Sequence, residues 1–293
     1  MTSLAEKVAE ALEKVGQTFE LHVARQAANA GWSIFHSHIY PDPKLKKARE
    51  IDLLLRFSLP ADQDRSDERP RIRVTYVAEV KSKRGEPWVV LTSLVADQYL
   101  EKEPYFALTP YGPGMRTLMA ATEAIQAFDD FAEQFPSLAH GRRIGHGIVQ
   151  VFGSPREKAS GPYVALRSAL NACVALTASN GESVTRPRFG EPVLDVVLPL
   201  VITGDELFEC YMDHTGDLVV TPVSVCRVVA PDPVRTEESL IATVVQEKAV
   251  EDFLRQAGRD AARIIELAAP AWADIVEAMT YETDDDPEEM SAG

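Results

Sequence analysis

Two strand-like runs joined by a polar loop constrain the fold of this chain more than any other feature. Residues 50–57 (E-I-D-L-L-L-R-F) and 73–81 (R-V-T-Y-V-A-E-V-K) are rich in aliphatic, β-branched and aromatic residues, which favour strands. The segment between them contains A-D-Q-D-R-S-D-E-R-P, which is polar and ends in proline, so an exposed loop is expected there. Two strands joined in this way are predicted to be antiparallel neighbours.

The alternation of side chains in these strands predicts a cluster of charged groups. Side chains alternate between the two faces of a sheet, so Glu79 and Lys81 are expected to share a face. Asp52 is predicted to share its face with Leu54 and Arg56. The apolar residues of that strand are predicted to lie on the opposite face: Ile51, Leu53, Leu55 and Phe57. Antiparallel pairing would bring Asp52 beside Glu79, in a register that a slip of one residue would break.

Two carboxylates and a lysine at one point suit a divalent metal held against a phosphodiester. Mg²⁺ prefers oxygen ligands and keeps several waters, so Asp52 and Glu79, a backbone carbonyl and a substrate phosphate would suit it. Such a metal polarises a phosphoryl oxygen and lowers the pKa of a bound water. Lys81 would contact that water or neutralise charge on the phosphorus. The alternative for E-x-K alone is a surface hairpin with an ordinary Glu–Lys pair; Asp52 and Glu20 upstream favour the metal site.

A third carboxylate, Glu20, comes from a predicted opening helix. Ser3 followed by Glu6 forms a capping-box pattern, and apolar residues recur at three-to-four spacing over residues 4–27. Gly16 lies inside this stripe and is expected to kink the helix or split it in two. Glu20 lies near the buried edge of the stripe, where a lone carboxylate needs a partner such as a metal or the lysine of the E-x-K motif. A solvated glutamate on the helix surface is the alternative.

In this order the residues resemble the PD-(D/E)XK, or restriction-endonuclease-like, nuclease superfamily. The pattern of that superfamily is a glutamate on an opening helix, an aspartate at a strand start, and (D/E)-x-K on the next strand. Glu20, Asp52, and Glu79 with Lys81 match these positions in turn, over roughly the first third of the chain. Ile51 stands where the pattern has a proline, which many members lack.

The resemblance implies both a fold and an activity. The expected fold is α/β, a restriction-endonuclease-like mixed central sheet flanked by helices, with additional C-terminal strands and a helix. The expected activity is hydrolysis of phosphodiesters, with DNA as substrate and endonuclease favoured over exonuclease cutting, in restriction, repair or anti-phage defence. Asp52 and Glu79 would hold Mg²⁺ or Mn²⁺, Glu20 would bind a second metal or support the first, and Lys81 would orient water or stabilise charge. The alternative is an inactive protein of this fold that binds nucleic acid or a partner protein.

The charge distribution bears on the expected nucleic-acid partner. The net charge of -15 disfavours nonspecific binding to nucleic acid. The first hundred residues, however, carry 15 Lys and Arg against 14 Asp and Glu and are therefore about neutral. Basic residues near the predicted site are the candidate nucleic-acid contacts: Lys44, Lys46, Lys47, Arg49, Lys83 and Arg84. Contacts of this kind bind phosphates without reading sequence. A solvated loop is the alternative for each cluster, and a homodimer or a partner protein is left open.

The rest of the chain predicts further elements of one elaborated domain, residues 1–281, whose minimal site-bearing part is about residues 1–100. Helices are predicted at 115–135, 163–178 and 248–275. Strands are predicted at 148–152, 193–202, 206–212, 218–229 and 240–245. Helix 163–178 and strand 193–202 are the candidates for the later helix and strand that the resemblance expects to pack on the sheet. The acidic ending, residues 282–293, is expected to be a disordered tail.

Other features predict a cytoplasmic protein that does not cross a membrane. Three widely spaced cysteines without zinc-ligand spacing are expected to be reduced: Cys173, Cys210 and Cys226. No apolar stretch is long enough to cross a bilayer, and the N-terminus has no signal-peptide hydrophobic region. His36 and His38 alternate in a predicted strand and would share a face. They are interpreted as half-exposed strand residues, with a second metal pair or a phosphate contact as the alternative.

Overall fold

The computed structural model of the chain describes residues 3–14, 16–42, 46–58, 72–82, 85–94, 136–137, 143–151, 161–183, 194–231 and 239–272. In these residues a mixed sheet of ten strands is covered by helices on its two faces. The prediction of an α/β fold with a mixed sheet flanked by helices is therefore confirmed.

Four α-helices and ten strands make up the described part of the fold. The helices are α1 (Leu4–Lys14), α2 (Gln17–Asn29), α3 (Pro162–Ser183) and α4 (Val250–Ala268). The strands are β1 (Ser33–Pro41), β2 (Ala48–Phe57), β3 (Ile72–Lys81), β4 (Trp88–Leu94), β5 (Arg143–Gln150), β6 (Leu194–Thr203), β7 (Leu207–Met212), β8 (Leu218–Val223), β9 (Val225–Pro231) and β10 (Ser239–Gln246). Short 3-10 turns, Glu247–Ala249 and Ala269–Ala271, flank α4.

The predicted opening helix is split in two at Gly16. Gly16 has φ of 83°, a left-handed conformation that glycine adopts without the steric cost of a Cβ atom, and it caps α2. The predicted capping box begins α1: Ser3 N donates to Glu6 Oε2 at 2.6 Å and Glu6 N donates to Ser3 Oγ at 3.2 Å. None of the residues of α1 is buried, whereas α2 buries Val23, Ala24 and Ala27 against the sheet.

The pairing of strands confirms the predicted hairpin and extends it. Across the sheet the strands follow the order β1–β2–β3–β6–β10–β9–β5–β4–β7–β8. β2 and β3 are antiparallel neighbours, paired from Phe57 opposite Val74 to Leu53 opposite Ala78, so the paired register ends one residue short of Asp52 on β2 and of Glu79 on β3. β6 pairs in parallel with β3 on one side and with β10 on the other. The predicted helix 163–178 and strand 193–202 correspond to α3 and β6.

The two faces of the sheet have different cores. On the face covered by α2 and α4, rings of Trp32, Phe57, Tyr76 and Phe253 contact one another with centroids 5.4 to 5.7 Å apart. Such ring pairs contribute about 0.5–1.5 kcal/mol each beyond burial. The indole of Trp32 also donates to the carbonyl of Leu254 at 2.9 Å, which ties β1 to α4. On the other face, small and aliphatic residues of α3 pack on β2, β3 and β6.

The predicted alternation in β2 is wrong at Ile51. Leu53 and Leu55 face α2 and α4 as a pair, but Ile51 packs with Leu54 on the α3 face. The cause is a local distortion of the β1–β2 ladder. The paired residues are His36 with Leu53 and then His38 with Ile51, so Ser37 and Asp52 are left unpaired in the ladder. Ser37 has φ of 50°. Asp52 thus leaves the regular alternation, and its carboxylate is directed toward β3.

Three further predictions differ from the structure or lie outside it. The single strand predicted at 218–229 is two strands, β8 and β9, which separate at Ser224 and pair with β7 and β10 respectively. The strand predicted at 148–152 begins earlier, at Arg143, and ends at Gln150. The helix predicted at 115–135 and the acidic tail 282–293 lie outside the described residues.

The cysteines and the helices also bear on the sequence predictions. All three cysteines are free thiols; Cys173 and Cys226 are buried and Cys210 is half-buried. Burial raises the pKa of the Cys226 thiol to about 12, so it is protonated at neutral pH. None of the helices in the described ranges is long and apolar enough to span a bilayer.

Candidate active site

Asp52 and the E-x-K residues meet where β2 begins and β3 ends. The backbone N–H of Val80 donates to Asp52 Oδ2 at 2.6 Å, so the Asp52 carboxylate is fixed on the backbone of β3. Lys81 Nζ donates to Glu79 Oε1 at 2.5 Å, which fixes the E-x-K pair on the α3 face. Charge-assisted hydrogen bonds of this kind are short and strong. The Asp52 carboxylate is therefore fixed on the backbone next to Glu79, and the Glu79 carboxylate is fixed by Lys81.

The break at Gly16 brings Glu20 to the same place. A Cβ added to Gly16 would lie 3.6 Å from Ser82 Oγ, so the start of α2 lies beside the end of β3. Glu20 is one turn into α2, and its backbone N–H donates to the Gly16 carbonyl at 3.2 Å. Its carboxylate lies within electrostatic range of Asp52 and Lys81. The left-handed glycine thus positions the third predicted carboxylate.

The electrostatics of this cluster are dominated by buried negative charge. Burial, and after it the charge of Asp52, raises the pKa of Glu20 to about 7. Burial also raises the pKa of Glu79, to which the charge of Asp52 adds, and Lys81 opposes both effects. For Asp52, burial raises the pKa while Lys81 and the Val80 N–H lower it. Lys81 alone does not compensate the three carboxylates.

The residues present fit a divalent cation. Glu79 is only 7% exposed, and its Oε2 is buried without a hydrogen-bond partner among the described residues. An unsatisfied buried oxygen costs about 1–3 kcal/mol, more when charged, and a cation would remove that cost. Asp52 and Glu79 provide hard oxygen donors, which suit Mg²⁺ or Mn²⁺ with water and substrate as remaining ligands. Over the described ranges no three His, Cys, Asp or Glu side chains form a ready-made metal set.

A cleft of about 570 Å³ opens beside Glu79. One wall is the end of the β1–β2 hairpin and the other is the beginning of α3. Its lining residues in the described part of the chain are Asp42, Arg49, Glu50, Glu79, Tyr163, Val164, Arg167, Ser168 and Asn171. The Ser168 hydroxyl lowers the pKa of Glu79, and Tyr40 Oη donates to the Ser168 carbonyl at 3.4 Å. The cleft gives a ligand direct access to Glu79.

Sequence reasoning missed several residues of this cleft. Glu50 adds negative charge that raises the pKa of both Glu20 and Asp52. Asn171 is buried, with its Oδ1 lacking a hydrogen-bond partner in the described structure. The signal that would have found the α3 residues is a polar stripe at four-residue spacing, Tyr163, Arg167 and Asn171, on an otherwise apolar helix.

Three of the six predicted nucleic-acid contacts lie in the described part of the chain, and three lie outside it. Arg49 lines the cleft and its Nε lies 2.7 Å from Asp42 Oδ2, which is buried. Lys46 and Lys47 are exposed in the adjoining turn, where Lys46 N donates to the Asp42 carbonyl at 2.9 Å. Lys44, Lys83 and Arg84 lie outside the described residues. The described basic residues are therefore on the rim of the cleft.

The two strand histidines do not form a pair on one face. Ser37, with its left-handed backbone, lies between them. Their cross-strand partners, Leu53 for His36 and Ile51 for His38, pack on opposite faces of the sheet. The regular alternation that would align the two rings is interrupted, so the second metal pair that was the alternative interpretation has no support here.

A second cavity, of about 590 Å³, lies between β9 and α4 and contains none of the predicted site residues. Its buried Arg227 donates to the carbonyl of Ser137. Ser137 in turn donates through N and Oγ to Asp260 Oδ2, at 2.8 and 2.5 Å. The arginine and the aspartate are thus connected through one serine, and we assign this network a structural role.

Comparisons of the chain with protein-family models, with curated proteins and with solved structures found no match.

Proposed function

We propose that this chain is a divalent-metal-dependent nuclease that hydrolyses phosphodiester bonds, with DNA as substrate and internal cutting. The observation that carries the proposal is the Asp52 carboxylate held on the backbone N–H of Val80, the residue next to Glu79, while Glu79 Oε2 is buried without a hydrogen-bond partner among the described residues. Lys81 bonded to Glu79 completes the group. Two neighbouring carboxylates with one lysine, of which Glu79 faces an open cleft, suit phosphodiester chemistry better than a structural ion pair, because the negative charge is not compensated.

The order of elements supports the restriction-endonuclease-like assignment. An opening helix with a glutamate, α2, precedes three antiparallel strands, β1 to β3, that carry the aspartate and the E-x-K. A later helix, α3, then packs on the sheet, and β6 pairs in parallel with β3. This is the arrangement that the resemblance implies, and β4, β5 and β7 to β10 with α4 are additions to it.

The residues have distinct roles in the proposed reaction. Asp52 and Glu79 would hold Mg²⁺ or Mn²⁺, which when bound polarises a phosphoryl oxygen and lowers the pKa of water. The bond between Lys81 and Glu79 holds the Lys81 ammonium beside the Glu79 carboxylate, where it would donate to the attacking water or to a phosphate oxygen. Glu20 supports the Asp52 side of the group or holds a second metal.

Cleavage assays test this proposal directly. Plasmid DNA, linear duplex, single-stranded DNA and RNA are incubated with Mg²⁺, with Mn²⁺ and with chelator. We expect metal-dependent cleavage of DNA, lost by about 100-fold or more in Glu79→Ala and Lys81→Ala. Both variants should remain folded, and calorimetric titration should show weaker Mg²⁺ binding in Glu79→Ala and little change in Lys81→Ala.

The matched control is Glu10→Ala, because Glu10 accepts from Lys14 at 2.7 Å in an exposed pair far from the cleft. It should cleave like the natural protein. Full activity in Glu79→Ala would overturn the proposal. Oligonucleotide binding without any cleavage would support the alternative, a nuclease-fold protein that binds nucleic acid without cutting it.

A further inference from the structure

The first turns of α3 present an aromatic ring and a cation to the cleft. Tyr163 is 53% exposed at its mouth. Arg167, one turn further, directs Nη1 to within 3.5 Å of the Tyr163 hydroxyl and orients the ring. An exposed tyrosine beside a guanidinium offers a flat surface for a nucleic-acid base, because any base can stack on an aromatic ring.

The opposite rim is basic and the floor is acidic. Arg49 is held in place by its bond to buried Asp42, and Lys46 and Lys47 are exposed next to it. Cations on this rim attract a phosphate chain, whereas Glu79 on the floor repels it unless a metal is present. A strand that lies against the rim would therefore have its backbone near Glu79 and its bases toward α3.

The floor contains a second group that selects an unpaired base. Asn171 is 9% exposed, and its Oδ1 is buried in the cleft without a partner in the described structure. This acceptor can receive a hydrogen bond from the amino group of a base. In a duplex that amino group is used in pairing and the base faces are covered by stacking. The volume of about 570 Å³ is that of a small-ligand cleft, not of a groove for a duplex.

From these contacts we infer that the cleft takes an unpaired strand, which under the proposed function is single-stranded DNA, with one base stacked on Tyr163 and the amino group of a neighbouring base directed to Asn171. The inference rests on the proposed function, because it identifies the substrate of the same site. It predicts that single strands, or duplexes with unpaired ends or flaps, bind in preference to intact duplex.

Binding in chelator at low salt tests the inference apart from cleavage. Fluorescence anisotropy is measured with one labelled DNA sequence as a single strand, as a duplex and as RNA. We expect the DNA single strand to bind most tightly. Tyr163→Ala should weaken that binding by about 5- to 100-fold, and Tyr163→Phe should retain it.

The matched control is Tyr211→Ala. The ring of Tyr211 also lies under a guanidinium, that of Arg143, but β7 is six strands away from β3. This variant should bind like the natural protein. Tighter binding of duplex, tighter binding of RNA, or unchanged binding by Tyr163→Ala would each overturn the inference.

The two proposals fail separately. Tyr163-dependent binding of single-stranded DNA without cleavage in any metal would support the inference and overturn the nuclease. Metal-dependent cleavage of duplex that is unaffected by Tyr163→Ala would support the nuclease and overturn the inference. Melting temperatures of the variants check for misfolding. Replacement of Tyr163 is not expected to cause misfolding, because the residue is exposed.

Discussion

Glu20, Asp52 and Glu79 place three carboxylates around one lysine, and burial raises the pKa of each of them. A fold keeps such a cluster at a cost, because each charge is partly removed from water and lies near like charges. Bound cations or partly protonated carboxyls offset this cost. At the scale of single residues, stability should therefore respond to neutralisation of the cluster.

The variant Glu79→Gln should be more stable than the natural protein in chelator at pH 7, by about 1 kcal/mol. Burial and Asp52 together raise the Glu79 pKa against the opposing effect of Lys81, so the charged form is the less favourable one in the fold. Urea unfolding measures the difference. Mg²⁺ should raise the melting temperature of the natural protein but not of Glu79→Gln. A large loss of stability in chelator would show that the Lys81 bond dominates.

The pH dependence of stability should reveal Glu20. Its pKa is about 7 in the fold and 4.5 in the unfolded chain. Below pH 4.5 both states are protonated; between pH 4.5 and 7 only the unfolded state ionises, so stability falls as pH rises. Glu20→Gln removes this penalty, and at pH 8 it should be more stable by about 1–2 kcal/mol, a figure reduced for solvent screening of a half-exposed group.

Urea unfolding at pH 4 and at pH 8 checks the sign for Glu20. The two proteins should be nearly equal at pH 4 and differ at pH 8, and Mg²⁺ at pH 8 should reduce the difference. An equal gain at both pH values would contradict the assigned pKa.

At the scale of elements, two distortions of the backbone create the site. Gly16 divides the opening helix so that α2 begins beside Ser82, and Ser37 interrupts the β1–β2 ladder opposite Asp52. Each distortion redirects one carboxylate toward the end of β3. The α3 helix forms the other wall of the cleft with the polar stripe Tyr163, Arg167 and Asn171, and its apolar residues pack on the sheet.

Gly16→Ala should weaken both the fold and the site. A Cβ at φ of 83° costs about 1–2 kcal/mol, and the chain can relieve the strain by moving the start of α2, which carries Glu20. Gly31→Ala is the control, because Gly31 has φ of 87° and open space around it but ends α2 away from the cleft. Both should lose similar stability in urea unfolding, and only Gly16→Ala should bind Mg²⁺ more weakly. Equal Mg²⁺ affinity in the two would contradict this role.

At the scale of the whole molecule, the chain is acidic although its proposed substrate is a polyanion. The net charge is -15, and the six acidic residues after Tyr281 contribute to it: Glu282, Asp284, Asp285, Asp286, Glu288 and Glu289. We expect this acidic segment to compete with DNA for the basic rim at low salt. We therefore expect the excess of acidic residues to limit nonspecific binding of DNA, so that contacts in the cleft provide the affinity.

Deletion of residues 282–293 should leave the melting temperature and the cleavage rate nearly unchanged. The segment has few apolar residues, so burial could not offset the entropy lost on ordering. DNA binding should become slightly tighter at low salt, and the gain should disappear as salt screens the tail. Anisotropy titrations across a salt series measure it, with a deletion of residues 290–293, which lack charged side chains, as control. A large loss of stability would show that the tail docks on the protein.

The sequence by itself determined the local features of this protein. Strand runs, the capping box, the split at Gly16 and the antiparallel pairing of β2 with β3 all follow from residue types and short-range periodicity. These depend on interactions between residues close in sequence or across one hairpin, where steric and hydrogen-bond rules suffice. The E-x-K pairing of Glu79 with Lys81 belongs to the same class.

Only the tertiary structure decided what surrounds those residues. Ile51 changes faces because of a backbone distortion on another strand, and the sequence run 218–229 divides because β8 and β9 occupy distant positions in the sheet. Tyr163, Arg167 and Asn171 line the cleft because α3 packs across β2, β3 and β6. These residues are far from Glu79 in sequence. Such contacts result from packing of the whole sheet against its helices, and short-range periodicity carries no information about that packing.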